Sequence, residues 1–287
     1  MTLNEYLIQA IPSLPDSLTD LDAQILLAHV LGHPRTWLLA NLDTPLSPLM
    51  LDSVNQAFSR LKAGEPLPYI LGHWEFFGMD FDITPDVLIP RPETEFMVEK
   101  AIKWLNASSE RRTVADVGTG SGIIATTLAM HVPTVRILAT DISHAALKVA
   151  KHNAEKFHVQ HRIDFLECDI LPQHIDPLST EGHFDLICAN LPYIPTETLS
   201  GLPIFGREPT LALDGGADGL DIYRRLLDIA PAWLAPHGMI LLEIEATQGV
   251  KALNLAYDKF SEASISLHQD YAKRDRLLEI QFGARAD

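Results

Sequence analysis

Two cysteines, Cys168 and Cys188, are all that 287 residues contain. That is too few for a disulfide framework or a thiolate metal set, and it points to a reducing compartment with both thiols used for packing. No segment reaches the roughly 18 consecutive apolar residues of a membrane span. The opening MTLNEYLIQAIPSLPD lacks the basic region and long apolar stretch of a secretory signal. A cytoplasmic protein with no membrane association is expected. Basic residues are scarce as well: 22 Lys and Arg stand against 38 Asp and Glu, a formal charge of −16. A broad phosphate-binding surface needs the opposite balance, so no direct nucleic acid partner is expected and a protein or small-molecule substrate is favoured. None of this bears on oligomeric state.

The twelve histidines do not fall into metal-ligand patterns. His29 and His33 are four apart, but Gly32 and Pro34 mark a helix end there. His152, His158 and His161 have no Cys or carboxylate beside them to complete a set.

What the chain has in plenty is apolar residue, 47% of the whole, enough for a large domain with a smaller companion. The first eighty residues read as helices. Thr19 and Asp22 form a capping box ahead of Leu21, Ile25 and Ala28, with Gly32 as the stop. Ser47 and Pro48 open a second helix whose apolar face is Val54, Phe58 and Leu61, ended by Gly64. WEFFGMDFDI reads as a hairpin with its turn at Gly78. Beyond Pro90, helix and strand alternate: a helix over 93–106, strand VADV, a helix from Gly122, strand VRILAT, a helix from Ser143, strand RIDFLEC. That alternation predicts a parallel sheet covered on both faces. A helix carrying Ile222, Leu226, Ile229 and Trp233 then leads through Pro236-His237-Gly238 to MILLEIE. Near the end, ASISLHQ and RLLEIQF are joined too briefly for a crossover and must run antiparallel to each other.

The densest chemical signal is Asp116-Val117-Gly118-Thr119-Gly120-Ser121-Gly122, between a strand and a helix. Alternate glycines let the backbone turn tightly and approach a ligand, and the helix start offers free N–H groups. Its third glycine comes one residue too early for the dinucleotide fingerprint, with Ile123 in the expected place, which weakens a nicotinamide reading. Asp116 and Asp141 close consecutive strands. A ligand with an amino acid end and a ribose would use Asp116 near its ammonium and Asp141 on both ribose hydroxyls. S-adenosyl-L-methionine has those parts.

The stretch ICANLPYIP, 187–195, begins as a buried strand and turns at once to Asn190-Leu191-Pro192-Tyr193, where proline forbids continuation. DVGTGSG, Asp141 nineteen residues after Gly122, Asp169 after the third strand and N-x-P-Y after the fourth resemble class I S-adenosylmethionine-dependent methyltransferases of planar nitrogen. Across nearly the whole chain, PLPYILGHWEFFG, LIPRPETE, NLPYIP and EPTLALDGGADGL are similar to the release factor glutamine methyltransferases, the PrmC/HemK family.

The resemblance implies an α/β fold: a Rossmann-like, mainly parallel sheet with an antiparallel last strand, plus a small N-terminal helical bundle. It implies a helical substrate-docking domain over 1–72, a hairpin linker over 73–92 and a catalytic domain over 93–287. The expected reaction moves a methyl group from S-adenosyl-L-methionine to the glutamine amide of the Gly-Gly-Gln loop in peptide chain release factors. Cofactor contacts are expected from Asp116, Gly118, Thr119, Gly120, Ser121, Gly122, Asp141, Ile142, Asp169, Ile170 and Asn190, with Asp169 and Ile170 flanking the adenine. The Asn190 oxygen and the Leu191 carbonyl would accept the two amide hydrogens while Tyr193 packs on the amide face, and Pro192 holds Leu191 extended. Arg91, Glu93 and Glu95 either face the substrate or simply open a helix. The family usually has proline where Leu191 stands, and often glycine where Glu245 stands. Two rivals come from the same residues: methylation of an exocyclic adenine amine, which needs base flipping and a basic track, and a non-catalytic assembly factor that merely binds the cofactor.

Overall fold

The computed structural model describes residues 1–15, 18–172 and 183–283, in two compact units, Met1–Trp74 and Glu75–Asp287. The first unit is helical: α1 Leu3–Ala10, α2 Asp20–Val30, α3 Arg35–Ala40, α4 Pro48–Lys62 and α5 Leu67–Leu71. Its starts follow the sequence signals. Thr19 and Asp22 cap α2 reciprocally, Ser47 accepts from the Met50 N–H at 3.3 Å at the head of α4, and each such cap contributes about 1 kcal/mol. The α4 face is the one expected, with Val54, Phe58 and Leu61 buried. The α2 face is not. Leu21 is 46% exposed and the buried residues are Ala23, Leu26, Leu27 and Ala28, because apolar residues lie all round this helix and periodicity could not choose among them.

Strands β1 His73–Phe76 and β2 Met79–Asp82 form the hairpin. Phe77 and Gly78 both have positive φ, 55° and 71°, the requirement of a two-residue turn that matches strand twist. Glu75 and Glu95 accept the N–H groups of Gly78 and Phe77 at 2.6 and 2.8 Å.

The rest of the second unit runs α6 Pro92–Asn106, β3 Thr113–Val117, α7 Ile123–His131, β4 Arg136–Asp141, α8 His144–Lys156, β5 Ile163–Glu167, β6 Phe184–Ala189, α9 Thr196–Leu199, α10 Asp221–Ile229, β7 Leu234–Glu243, α11 Gly249–Lys259, β8 Ser264–Gln269 and β9 Asp275–Gln281. The seven-stranded sheet has the order β5-β4-β3-β6-β7-β9-β8. Pairing is parallel from β5 to β7 and antiparallel on both sides of β9, so the antiparallel last strand is present as expected. Pro236, His237 and Gly238, read as a connection, lie within β7, where the ladder slips between Phe184 and Leu186 of β6.

After β3 the chain winds outward through β4 and β5, then returns to place β6 on the other side of β3. This reversal opens a crevice at the carboxyl ends of β3 and β6, where ligands of open α/β sheets bind. The strands that make it are buried on both faces: Ala115, Val117, Ile187 and Ala189 on one and Val114, Asp116, Leu186 and Cys188 on the other are fully covered.

Candidate active site

The crevice is a cavity of about 430 Å³, within the roughly 300–1,000 Å³ of small-molecule sites. Gly118 to Ser121, Asp141 and Ile142, Asp169 and Ile170, and Asn190 to Pro192 all line it. Of the residues expected to hold the cofactor, all but Asp116 and Gly122 therefore converge on one space.

The glycine turn is built by exclusion of side chains. A β-carbon on Gly122 would meet the Ala150 backbone of α8 at 3.0 Å, and one on Gly118 would meet Leu191 Cδ2 at 2.9 Å. Gly120 has nothing within 4 Å of that position. The turn is held from below by Asp116, whose Oδ2 accepts the Thr119 hydroxyl at 2.6 Å and the Ala125 N–H at 3.1 Å. Asp116 is fully buried and does not itself line the cavity; among the described residues its Oδ1 has no hydrogen-bond partner. Burial raises its pKa to about 6 against those two donors.

Asp141 ends β4 with both oxygens engaged, Oδ2 by the Gly120 N–H at 2.9 Å and Oδ1 by the Ser143 N–H at 2.8 Å. Burial raises its pKa and the backbone N–H groups oppose the rise. Each carboxylate oxygen has a second lone pair to spend on a diol. Ile142 is half exposed and Ile170 buried, two apolar walls for a flat ring. Ile170 has a φ of 67°, costly for a β-branched side chain. The Thr140 hydroxyl donates to its carbonyl at 2.6 Å and helps hold that conformation. Asp169 is paired with Arg225 at 2.5 Å, both half exposed.

Asn190 follows the last residue of β6, and its Nδ2 donates to the Thr94 hydroxyl at 3.0 Å. Its Oδ1 is the acceptor that remains. Leu191 and Pro192 complete the cavity wall, while Tyr193 lines a smaller adjoining space with Arg91, Leu88 and Asn190. Burial raises the Tyr193 pKa, so its phenol stays protonated. The LDGGADGL segment braces this turn from behind. A β-carbon on Gly215 or Gly219 would strike the Pro192 or Tyr193 carbonyl, at 2.7 and 2.1 Å, and Gln248 donates to the Tyr193 carbonyl at 2.8 Å.

The PRPETE residues divide. Arg91 pairs with buried Glu208 at 2.5 Å, whose other oxygen accepts the Ile89 N–H, and Glu95 is spent on the hairpin turn. Glu93 stands near enough to Tyr193 and Glu243 for its charge to act on both.

Residues 5–72 match the family model described as PrmC N-terminal domain, and 97–196 the model described as Ribosomal protein L11 methyltransferase (PrmA). A release factor glutamine methyltransferase of Moorella thermoacetica is 44% identical over 280 residues, covering 96% of this chain and 97% of that protein. One of Geobacter sulfurreducens is 39% identical over 237 residues, covering 82% and 80%. The chain belongs to the release factor glutamine methyltransferase family. A methyltransferase of Pyrococcus furiosus superposes with a TM-score of 0.51 at 19% identity, over 73% of this chain and 91% of that one, a likeness of fold.

In this member of the release factor glutamine methyltransferase family, three side chains not expected from the sequence to act in the site shape it. Thr94, fully buried on α6, takes the Asn190 amide. Glu243, buried at the end of β7, has no hydrogen-bond partner for either oxygen among the described residues. Burial raises its pKa to about 7; the Thr94 hydroxyl, the Arg276 charge and the Asn190 amide stand near enough to oppose that rise, though neither Thr94 nor Asn190 makes a hydrogen bond of normal geometry to it. Tyr223 on α10, also buried, puts its hydroxyl against the backbone of Leu191 and Glu243. An acid inside the apolar run MILLE was the available signal for Glu243, and membership of PRPETE the one for Thr94; Tyr223 gave none.

Proposed function

We propose that the chain transfers the methyl group of S-adenosyl-L-methionine to the side-chain amide nitrogen of the glutamine in the Gly-Gly-Gln motif of peptide chain release factors. The relatives' names supply the substrate class, and one observation carries the chemistry. Asn190, with its Nδ2 committed to Thr94 at 3.0 Å, shares one cavity wall with the glycine turn.

The cavity fits the cofactor. The Gly120 position is open, and Asp141, which lines the cavity, has lone pairs left for two hydroxyls. Ile142 and Ile170 offer apolar faces to the adenine, with Asp169 beside them for its amine. The Asp169–Arg225 pair is exposed enough to give way at a cost under about 1 kcal/mol. When bound, S-adenosyl-L-methionine supplies an electrophilic methyl on its sulfonium.

An amide nitrogen is a weak nucleophile because its lone pair is delocalised, so orientation within attack distance has to do much of the work. The Asn190 Oδ1 and the Leu191 carbonyl accept its two hydrogens and aim it, and Tyr193 packs on the amide plane. Those acceptors also favour the positive charge that gathers on nitrogen. The proton then leaves to water, and no side chain has to act as base. The helical unit helps to hold the protein substrate.

Incubating the protein with labelled cofactor and, separately, an unmethylated release factor and an adenine-containing duplex tests this. Label in the release factor alone is expected. Label in the duplex alone would replace this reading with amine methylation on nucleic acid, and label in neither, with the cofactor bound, would favour the non-catalytic reading.

A further inference from the structure

The hydroxyl of Tyr223 meets three backbone groups at once. It accepts the Leu191 N–H at 3.3 Å, lies 3.1 Å from the Leu191 carbonyl, and makes a very short contact with the Glu243 carbonyl. A phenol has one hydrogen and can accept as well as donate. The closest oxygen, that of Glu243, takes the hydrogen, while the N–H of Leu191 is received in return. Residue 191 is thereby held through its N–H, and its carbonyl, 3.1 Å from the phenol oxygen, keeps its lone pairs.

The location explains why such a clamp is needed. The β6–β7 ladder stops at the Ala189 and Leu242 pair, one residue short of Asn190 and two short of Leu191. Past that point the strand has no ladder, and residue 191 has no ring to fix its φ. Leu191 has instead what a proline lacks, an N–H. Tyr223 reaches it from α10 and ties it to the last residue of β7, so that the end of one strand is anchored on the end of the next. Tyr223 is itself fully buried in the cluster formed by Leu226, Leu227, Leu220 and Ile244.

We propose that Tyr223 is a positioning residue for the methyl acceptor site: its hydroxyl sets the Leu191 backbone, and with it the carbonyl that receives the substrate amide, through the N–H that leucine supplies at this place. The proposal rests on the reading of Asn190 and Leu191 as the amide-binding pair.

Tyr223→Phe, alone and combined with Leu191→Pro, tests it by two readouts. The first is amide hydrogen exchange of the 187–194 segment, which needs no substrate. Tyr223→Phe should speed exchange at Leu191 by about tenfold or more as its acceptor is lost. The second is the kinetics of methyl transfer. Tyr223→Phe should lower kcat about ten- to a hundredfold through misplacement, with KM for the cofactor within about threefold, and should cost less than about a third as much in the Leu191→Pro background, where the N–H is absent. Unchanged exchange at Leu191 would overturn the proposal, as would equal losses of kcat in both backgrounds, or a loss confined to KM. Should the parent protein transfer no methyl to a release factor, the functional reading falls, and the exchange result still decides whether the clamp exists.

Discussion

Leu191 lies over Gly118 so closely that its Cδ2 stands 2.9 Å from where a β-carbon on the glycine would be. The turn expected to hold the cofactor and the turn expected to hold the substrate amide are thus in contact through one side chain and one missing side chain.

Gly118→Ala should therefore damage both. Its φ of 72° strains any L residue by about 1 kcal/mol, and the new methyl collides with Leu191. Calorimetric titration should show cofactor affinity reduced about tenfold or more, and Gly118→Ala/Leu191→Ala should recover part of it. A double variant as weak as the single one would place the whole cost in backbone strain.

Glu243 should make stability pH-dependent in a particular direction. Its pKa rises from 4.5 unfolded to about 7 folded, so the folded state holds a proton that the unfolded state releases between those values. The contribution is present below pH 4.5 and lost as pH climbs through 7, on the order of 3 kcal/mol in all. Asp116, raised from 3.8 to about 6, acts in the same sense at lower pH. Urea unfolding of Glu243→Gln should show a difference from the parent that moves in the variant's favour between pH 4.5 and 8. A difference independent of pH would mean that Glu243 is ionised in the fold throughout.

Asp169 and Arg225 should separate under mutation. As a half-exposed pair they hold little stability, and Arg225→Ala should change the unfolding free energy by less than about 0.5 kcal/mol. Asp169→Ala should weaken cofactor binding about tenfold, the scale of one charge-assisted hydrogen bond. Equal effects of both substitutions on cofactor affinity would show that the pair, and not the carboxylate, faces the ligand.

Much of the fold was legible because local chemistry and burial agree there. Strands such as VADV and VRILAT are short, mostly apolar runs bounded by helical patterns, which is how a strand covered on both faces reads. The cofactor turn was legible from the alternating glycines of DVGTGSG. What sequence could not show was where polar side chains would find partners. Arg91 lines the cavity while meeting Glu208 across 117 residues, and Glu95 turns back to the hairpin, partners that lie too far along the chain for the sequence to show. Asn153, buried on α8, holds the Asp82 backbone and the Ser121 carbonyl together, yet in sequence it is one polar residue in a polar helix. The partners of Thr94, inside PRPETE, and of Tyr223 were hidden for the same reason, since they arise only when α6 and α10 close over the ends of β6 and β7.

The central claim is that Asn190 presents the glutamine amide for methylation. The most direct test is mass spectrometry of the Gly-Gly-Gln peptide from an unmethylated release factor after incubation with S-adenosyl-L-methionine and either the parent protein or Asn190→Ala. One added methyl on that glutamine with the parent is predicted, and at least a hundredfold less with the variant, whose cofactor affinity is measured alongside and should stay within about threefold. Undiminished methylation by Asn190→Ala, or a methyl found on another residue of the peptide, would contradict the account.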